Sequence, residues 1–130
     1  TIDCIASDHA PHTRDEKDKE FEYAPFGVIG MESTVSVIYD RLVRTGIISL
    51  NRMVELLSTN PARILNLKDR GRVTPGKPAD LTVLDLNRRF SINAATFRSK
   101  ANNCPFLQWE GMGKVALTIV GGQVVYTSGD

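Results

Sequence analysis

The sequence predicts an α/β protein in which one strand and a run of helices precede a small β part. Three observations carry this reading. A short apolar run (Ile2, Cys4, Ile5, Ala6) leads into Ser7, apolar residues recur at helical spacing from Val35 onward, and β-branched residues dominate after Gly71. At 130 residues and 42% hydrophobic content the chain is of domain size and can bury a core.

The elements follow in order. The first run does not alternate, so it suits a buried parallel strand, with Asp8 at its C-terminal end. It also begins abruptly, with no Met before Thr1, which raises the expectation of a longer protein. Residues 9–28 are polar and punctuated by Pro11, Pro25 and Gly27; they form a long loop, and loops of this length without regular structure usually serve as lids or binding loops. Residues 32–44 then place Val35, Ile38, Tyr39 and Leu42 on one helix face, with Gly46 as the C-terminal cap. Ser49 caps a second helix through Leu57, with Met53, Leu56 and Leu57 on one face, and Asn60 before Pro61 predicts the start of a third, ending near Asn66.

Beyond Gly71, residues 79–86, 90–92 and 114–126 read as strands, and Gly121-Gly122 marks a hairpin. The stretch "PGKPADLTVLD" is a turn feeding a strand, with nothing in it that performs chemistry. The chain therefore divides into residues 1–68, a strand with helices, and residues 69–130, mainly β.

Composition narrows the function. Lys and Arg number 16 against 15 Asp and Glu, which leaves no basic excess for nucleic acid or an anionic membrane. No apolar stretch approaches the ~18 residues of a membrane span, no signal-peptide pattern opens the chain, and Cys4 and Cys104 form no CxxC pair, so a reducing cytoplasm is the expected location.

The densest chemistry lies in "SDHAPH", residues 7–12. A carboxylate at the C-terminal end of a parallel strand is where α/β enzymes place catalytic groups. Asp8 has that position. Beside a metal-bound water whose pKa falls to about 7 it could hold the metal and take the proton, or it could simply cap the following turn. His9 and His12 lie three apart in a proline-containing loop and need not face one point, so His9 suits structural packing and His12 an anion contact. The charged run "TRDEKDKEFE" is most simply a solvated loop surface.

"SDHAPH", "APFGVIGMES", "NPARIL", "GRVTPGKPADLTVLD" and "PFLQWEGMGKVALTIVGGQVVY" together resemble the C-terminal part of dihydroorotases of the bacterial class I type, over essentially the whole chain. The PGKPADL segment recurs among metal-dependent amidohydrolases in general, whereas DHAPH with APFG and the PF…W…GKV…TIV ending together point to dihydroorotase. The resemblance implies the last strand and helices of a (β/α)8 TIM-like barrel followed by part of a small β-sandwich. It further implies zinc-dependent, reversible opening of (S)-dihydroorotate to N-carbamoyl-L-aspartate in pyrimidine biosynthesis.

On this resemblance Asp8 touches the metal and acts as general acid/base, His12 contacts the substrate carboxylate, and Pro25, Phe26 and Gly27 line the substrate ring. One or two zinc ions are implied, their remaining ligands lying on a missing N-terminal part. Assembly as a homo-oligomer, and with aspartate transcarbamoylase, is implied as well. The family's HxH pair, further histidines and bridging group have no counterpart in this sequence, so the isolated chain is expected to be inactive. Two alternatives stand beside this reading: a non-catalytic assembly module, and another cyclic amidase such as a hydantoinase or allantoinase.

Overall fold

The structure, a computed structural model, describes residues 2–129. Helix α1 (Arg14–Lys17) is a single turn inside the long loop, formed because Thr13 and Glu16 make a reciprocal capping box. Helix α2 (Thr34–Ile38) runs on as a π-helical segment (Tyr39–Val43). Gly46, at φ +77°, closes it as the spacing predicts, its N–H donating to the Val43 carbonyl.

Ser49 caps α3 (Leu50–Val54) by accepting the Arg52 N–H at 3.1 Å, again as predicted. The predicted break before a third helix is absent. A second π segment (Glu55–Thr59) leads without interruption into α4 (Asn60–Ile64), and Thr59 and Asn60 both have helical dihedrals, so Asn60 is not a cap. Pro61 has no N–H to give the preceding turn, and its ring crowds the carbonyl four residues back. The wider π turn just before it relieves both.

The largest correction concerns the first strand. Residues 2–7 form no strand, and Ile2 is exposed. They lie instead on α3, the second π segment and α4: the Ile5 N–H donates to the Leu56 carbonyl at 3.0 Å, Arg52 donates to the Ile2 carbonyl, and Asn60 Nδ2 donates to the Asp3 carbonyl. A parallel strand needs strands beside it to take its backbone hydrogen bonds. Among the described residues only an isolated parallel bridge between His9 and Val28 is of that kind.

The β part is one antiparallel sheet, β1 (Leu81–Ser91), β2 (Glu110–Val120) and β3 (Gln123–Thr127), in the order β1-β2-β3. The two predicted runs 79–86 and 90–92 merge into β1, and register shifts after Val83 and after Asp85 absorb the irregularity between them. Gly121 (φ +55°) and Gly122 (φ +81°) turn β2 into β3, the hairpin that the sequence predicts. No second sheet is present among the described residues.

One buried cluster joins the two parts, while Met53, Leu56 and Ala62 are buried within the helical part. Ile29 packs with Phe90, Ile92 and Cys104, and Val37, Phe97 and Phe106 close around them. Glycines at 111 and 113 let the π segment approach β2: a Cβ on Gly113 would overlap the Tyr39 ring, and one on Gly111 would lie 2.6 Å from Asp40 Cγ. Trp109 joins the same junction, edge-on to Phe106 at 5.0 Å and beneath the Arg41 guanidinium at 4.7 Å. Among the described residues no helix is long and apolar enough to cross a membrane.

Candidate active-site wall

Asp8 occupies a backbone position that few side chains adopt. Its φ is +43°, its side chain is exposed, and its carboxylate has no hydrogen-bond partner among the described residues. Asp tolerates the left-handed region better than most residues, but the conformation aims the chain after it in a new direction. The turn-capping alternative would have its carboxylate accept loop N–H groups; no such bond forms.

His9 is occupied on both nitrogens. Nδ1 accepts the N–H of Gly30 at 3.1 Å and of Met31 at 3.3 Å, which makes Nε2 the protonated nitrogen, and Nε2 faces Ser99 Oγ at 3.3 Å. It therefore pins the loop to the start of the helical part, the structural role that its spacing suggested.

His12 stands against the 25–27 stretch. Gly27, at φ +125°, allows this: a Cβ there would lie 2.9 Å from Ala10 Cβ and 3.0 Å from His12 Nε2. Its Nδ1 lies 3.6 Å from Glu16 Oε2, an anion that could compete for the imidazole. Thr13 engages the same carboxylate: its N–H and then its hydroxyl hold the Glu16 carboxyl below its ordinary value, with His12 adding to the effect.

Pro25 and Gly27 present their carbonyls to Lys17 Nζ at 2.8 and 3.4 Å, whereas Phe26 projects into solvent, 96% exposed. The charged run is thus exposed over most of its length, as expected, but Lys17 is a tether within it. Asp8, His12 and the 25–27 stretch all belong to two segments, 8–12 and 25–28, joined by the His9–Val28 bridge and by the Ala10 N–H donating to the Val28 carbonyl at 2.9 Å.

Several residues of this wall carry no local sequence signal. Asn103, 91 residues from His12, accepts the His12 N–H through Oδ1 at 3.3 Å and donates through Nδ2 to the carbonyls of Ala10 (2.9 Å) and Gly27 (3.2 Å). Glu32 accepts the N–H groups of Arg98 and Ser99 at 2.7 and 3.0 Å, holding the 98–103 loop of the β part against the first part.

The donor set tests whether the wall could hold a metal. Among the described residues no group of three or more His, Cys, Asp or Glu is arranged for one. His9 is unavailable without breaking three contacts, and Asp8 is a single free donor, whereas a catalytic zinc takes about three protein ligands. The residues present fit one contribution to a metal site, not a site.

Similarity to known proteins agrees with this architecture. The sequence pattern of the Amidohydrolase family matches residues 32–126, and the chain belongs to that family. Within it, the chain is 45% identical to a dihydroorotase of Lactiplantibacillus plantarum and 48% identical to one of Geobacter metallireducens, in each case over 97% of this chain and 29% of the relative. The chain thus spans about three-tenths of the length of the curated relatives it matches. Among solved structures, L-hydantoinase (dihydropyrimidinase) from Arthrobacter aurescens superimposes with a TM-score of 0.92 at 32% identity, over 99% of this chain and 30% of that one. D-hydantoinase from a Bacillus species does so at 0.88 and 27%, over 96% of this chain and 29% of that one.

Proposed function

We propose that this chain is the C-terminal portion of a dihydroorotase, residues 1–68 closing the barrel and residues 69–130 contributing to the small β domain. The observation that carries the reading is the identity of 43–48% to eight dihydroorotases along nearly the whole chain. The hydantoinase and dihydropyrimidinase structures with the same fold reach 23–32%.

The reaction is the reversible opening of the cyclic amide of (S)-dihydroorotate to N-carbamoyl-L-aspartate. Asp8 would be one of the residues that hold the metal, taken as zinc, which when bound would supply an activated water. The Asp8 carboxylate, which accepts no hydrogen bond among the described residues, takes the proton from the attacking water and returns it to the leaving ring nitrogen. His12, held in place by its backbone and by Gly27, binds the ring carboxylate, a group that hydantoin and dihydrouracil lack. Pro25, Phe26 and Gly27 flank the ring. The remaining metal ligands belong to the longer protein, so these residues alone turn nothing over. A cytoplasmic homo-oligomer, associating with aspartate transcarbamoylase, completes the reading.

The test is substrate profiling of the full-length enzyme with dihydroorotate, dihydrouracil and hydantoin, following each ring-opened product by chromatography. Turnover of dihydroorotate with little of the other two is expected, and His12→Ala should raise KM for dihydroorotate by about tenfold, the loss of one charge-assisted hydrogen bond. Preference for a ring without the carboxylate would overturn the assignment in favour of a hydantoinase.

A further inference from the structure

We infer that Asn103 is a positioning residue for the substrate pocket: its amide sets the distance between the His12 segment and the 25–27 stretch. This rests on the dihydroorotase reading above.

The amide is almost fully used. Its partners are one N–H, from His12, and two carbonyls, of Ala10 and Gly27, so its orientation is determined: Oδ1 must face the N–H and Nδ2 the carbonyls. The two carbonyls come from different segments, one preceding His12 by two residues and one at the end of the 25–27 stretch. A single planar group thus measures the gap between the residue assigned to the substrate carboxylate and the backbone assigned to its ring.

The backbone of Asn103 adds a fourth bond, its carbonyl accepting the Ile29 N–H at 3.1 Å. Its own placement is set on one side by Cys104, buried in the core, and on the other by Ser99 and Glu32. Rigidity therefore passes from the core of the molecule to the pocket wall through this loop. The β part, which has no chemistry of its own, acquires a role in substrate binding.

Asn103→Asp is nearly isosteric and keeps the acceptor for His12, but it replaces two donated hydrogen bonds with a carboxylate facing two carbonyl oxygens. Asn103→Ser removes the bridge without adding charge. In the full-length enzyme either change is expected to raise KM for dihydroorotate about tenfold with kcat within about twofold. In the His12→Ala background the same change should add less than about threefold, because the group being positioned is gone. Hydrogen exchange at the Ala10 and Ile29 amides should quicken in both variants.

An unchanged KM in both variants of an enzyme that does turn over dihydroorotate would overturn the inference. So would an equal effect in the presence and absence of His12, which marks a general structural role. A wild-type enzyme inactive on dihydroorotate, with faster exchange in the variants, would refute the functional reading while supporting the brace. Unchanged exchange in both variants would refute the brace itself.

Discussion

The carboxylate of Asp40 accepts the backbone N–H of Met112 at 2.9 Å, tying the π segment after α2 to the middle of the sheet. Asp40 is buried, and Arg44 and Arg41 bring their guanidinium groups to it from the half-exposed rim. Gly111 provides the space for this approach.

Replacing Asp40 by Asn removes the charge and weakens this junction. Burial by itself would raise the Asp40 carboxyl, but the Met112 N–H, Arg44 and Arg41 outweigh it and hold the group below its ordinary value of 3.8. A depressed folded-state value means that the stabilisation is present above the unfolded value and is lost as pH falls through the folded one. Denaturant unfolding at pH 7 should show Asp40→Asn less stable than wild type by about 2 kcal/mol, the usual loss for a hydrogen bond to a charged group. The gap should narrow as pH drops below 3.8. A gap independent of pH would refute the charge account.

Gly113 and Gly76 share a left-handed backbone, φ +96° and +80°, but differ in surroundings, since nothing lies within 4 Å of a Cβ on Gly76. Gly76→Ala should cost only the conformational penalty, about 1–2 kcal/mol. Gly113→Ala adds the overlap with Tyr39 and should cost about 1–3 kcal/mol more. Thermal unfolding of the pair checks the difference, and equal losses would mean that Tyr39 moves aside freely.

Asp8→Asn separates chemistry from folding. Asn accepts the left-handed conformation as readily as Asp, and the exposed side chain supports no neighbour, so stability should stay within about 0.5 kcal/mol. Turnover by the full-length enzyme should fall by about 10²–10⁴, the usual contribution of a proton-transferring group. Retained activity would remove Asp8 from the catalytic role proposed for it.

The isolated 130-residue chain should associate with itself. The sheet has unpaired edges at β1 and β3 among the described residues, and Val124 and Val125 on β3 are 58% and 61% exposed. Open apolar edges of this kind invite strand pairing. Light scattering that finds a monodisperse, cooperatively unfolding monomer would contradict this expectation.

Much of the local architecture was legible in the sequence because it depends on near neighbours. Gly46 and Ser49 cap helices through groups a few residues away, and Gly121-Gly122 turns the hairpin through its own dihedrals. The failures share a cause. Residues 2–7 have the composition of a buried strand, but a strand is defined by its partners, and here the segment hydrogen-bonds to α3, α4 and the π segment between them. Pro61 looks like a helix start, yet a π turn before it carries the helix through, a choice made by packing and not by the Asn60-Pro61 pair.

The candidate wall divides along the same line. The residue types in "SDHAPH" and their resemblance to dihydroorotases, together with the balance of charge, follow from the sequence by itself, because chemistry resides in side-chain identity. What those side chains touch was decided only in three dimensions. Tertiary contacts occupy His9, leave the Asp8 carboxylate without a hydrogen bond among the described residues, set His12 against Gly27, and bring Asn103 across 91 residues to the backbone of His12 and Gly27. A hydrogen bond between distant residues depends on the packing of everything between them, and no local pattern records it.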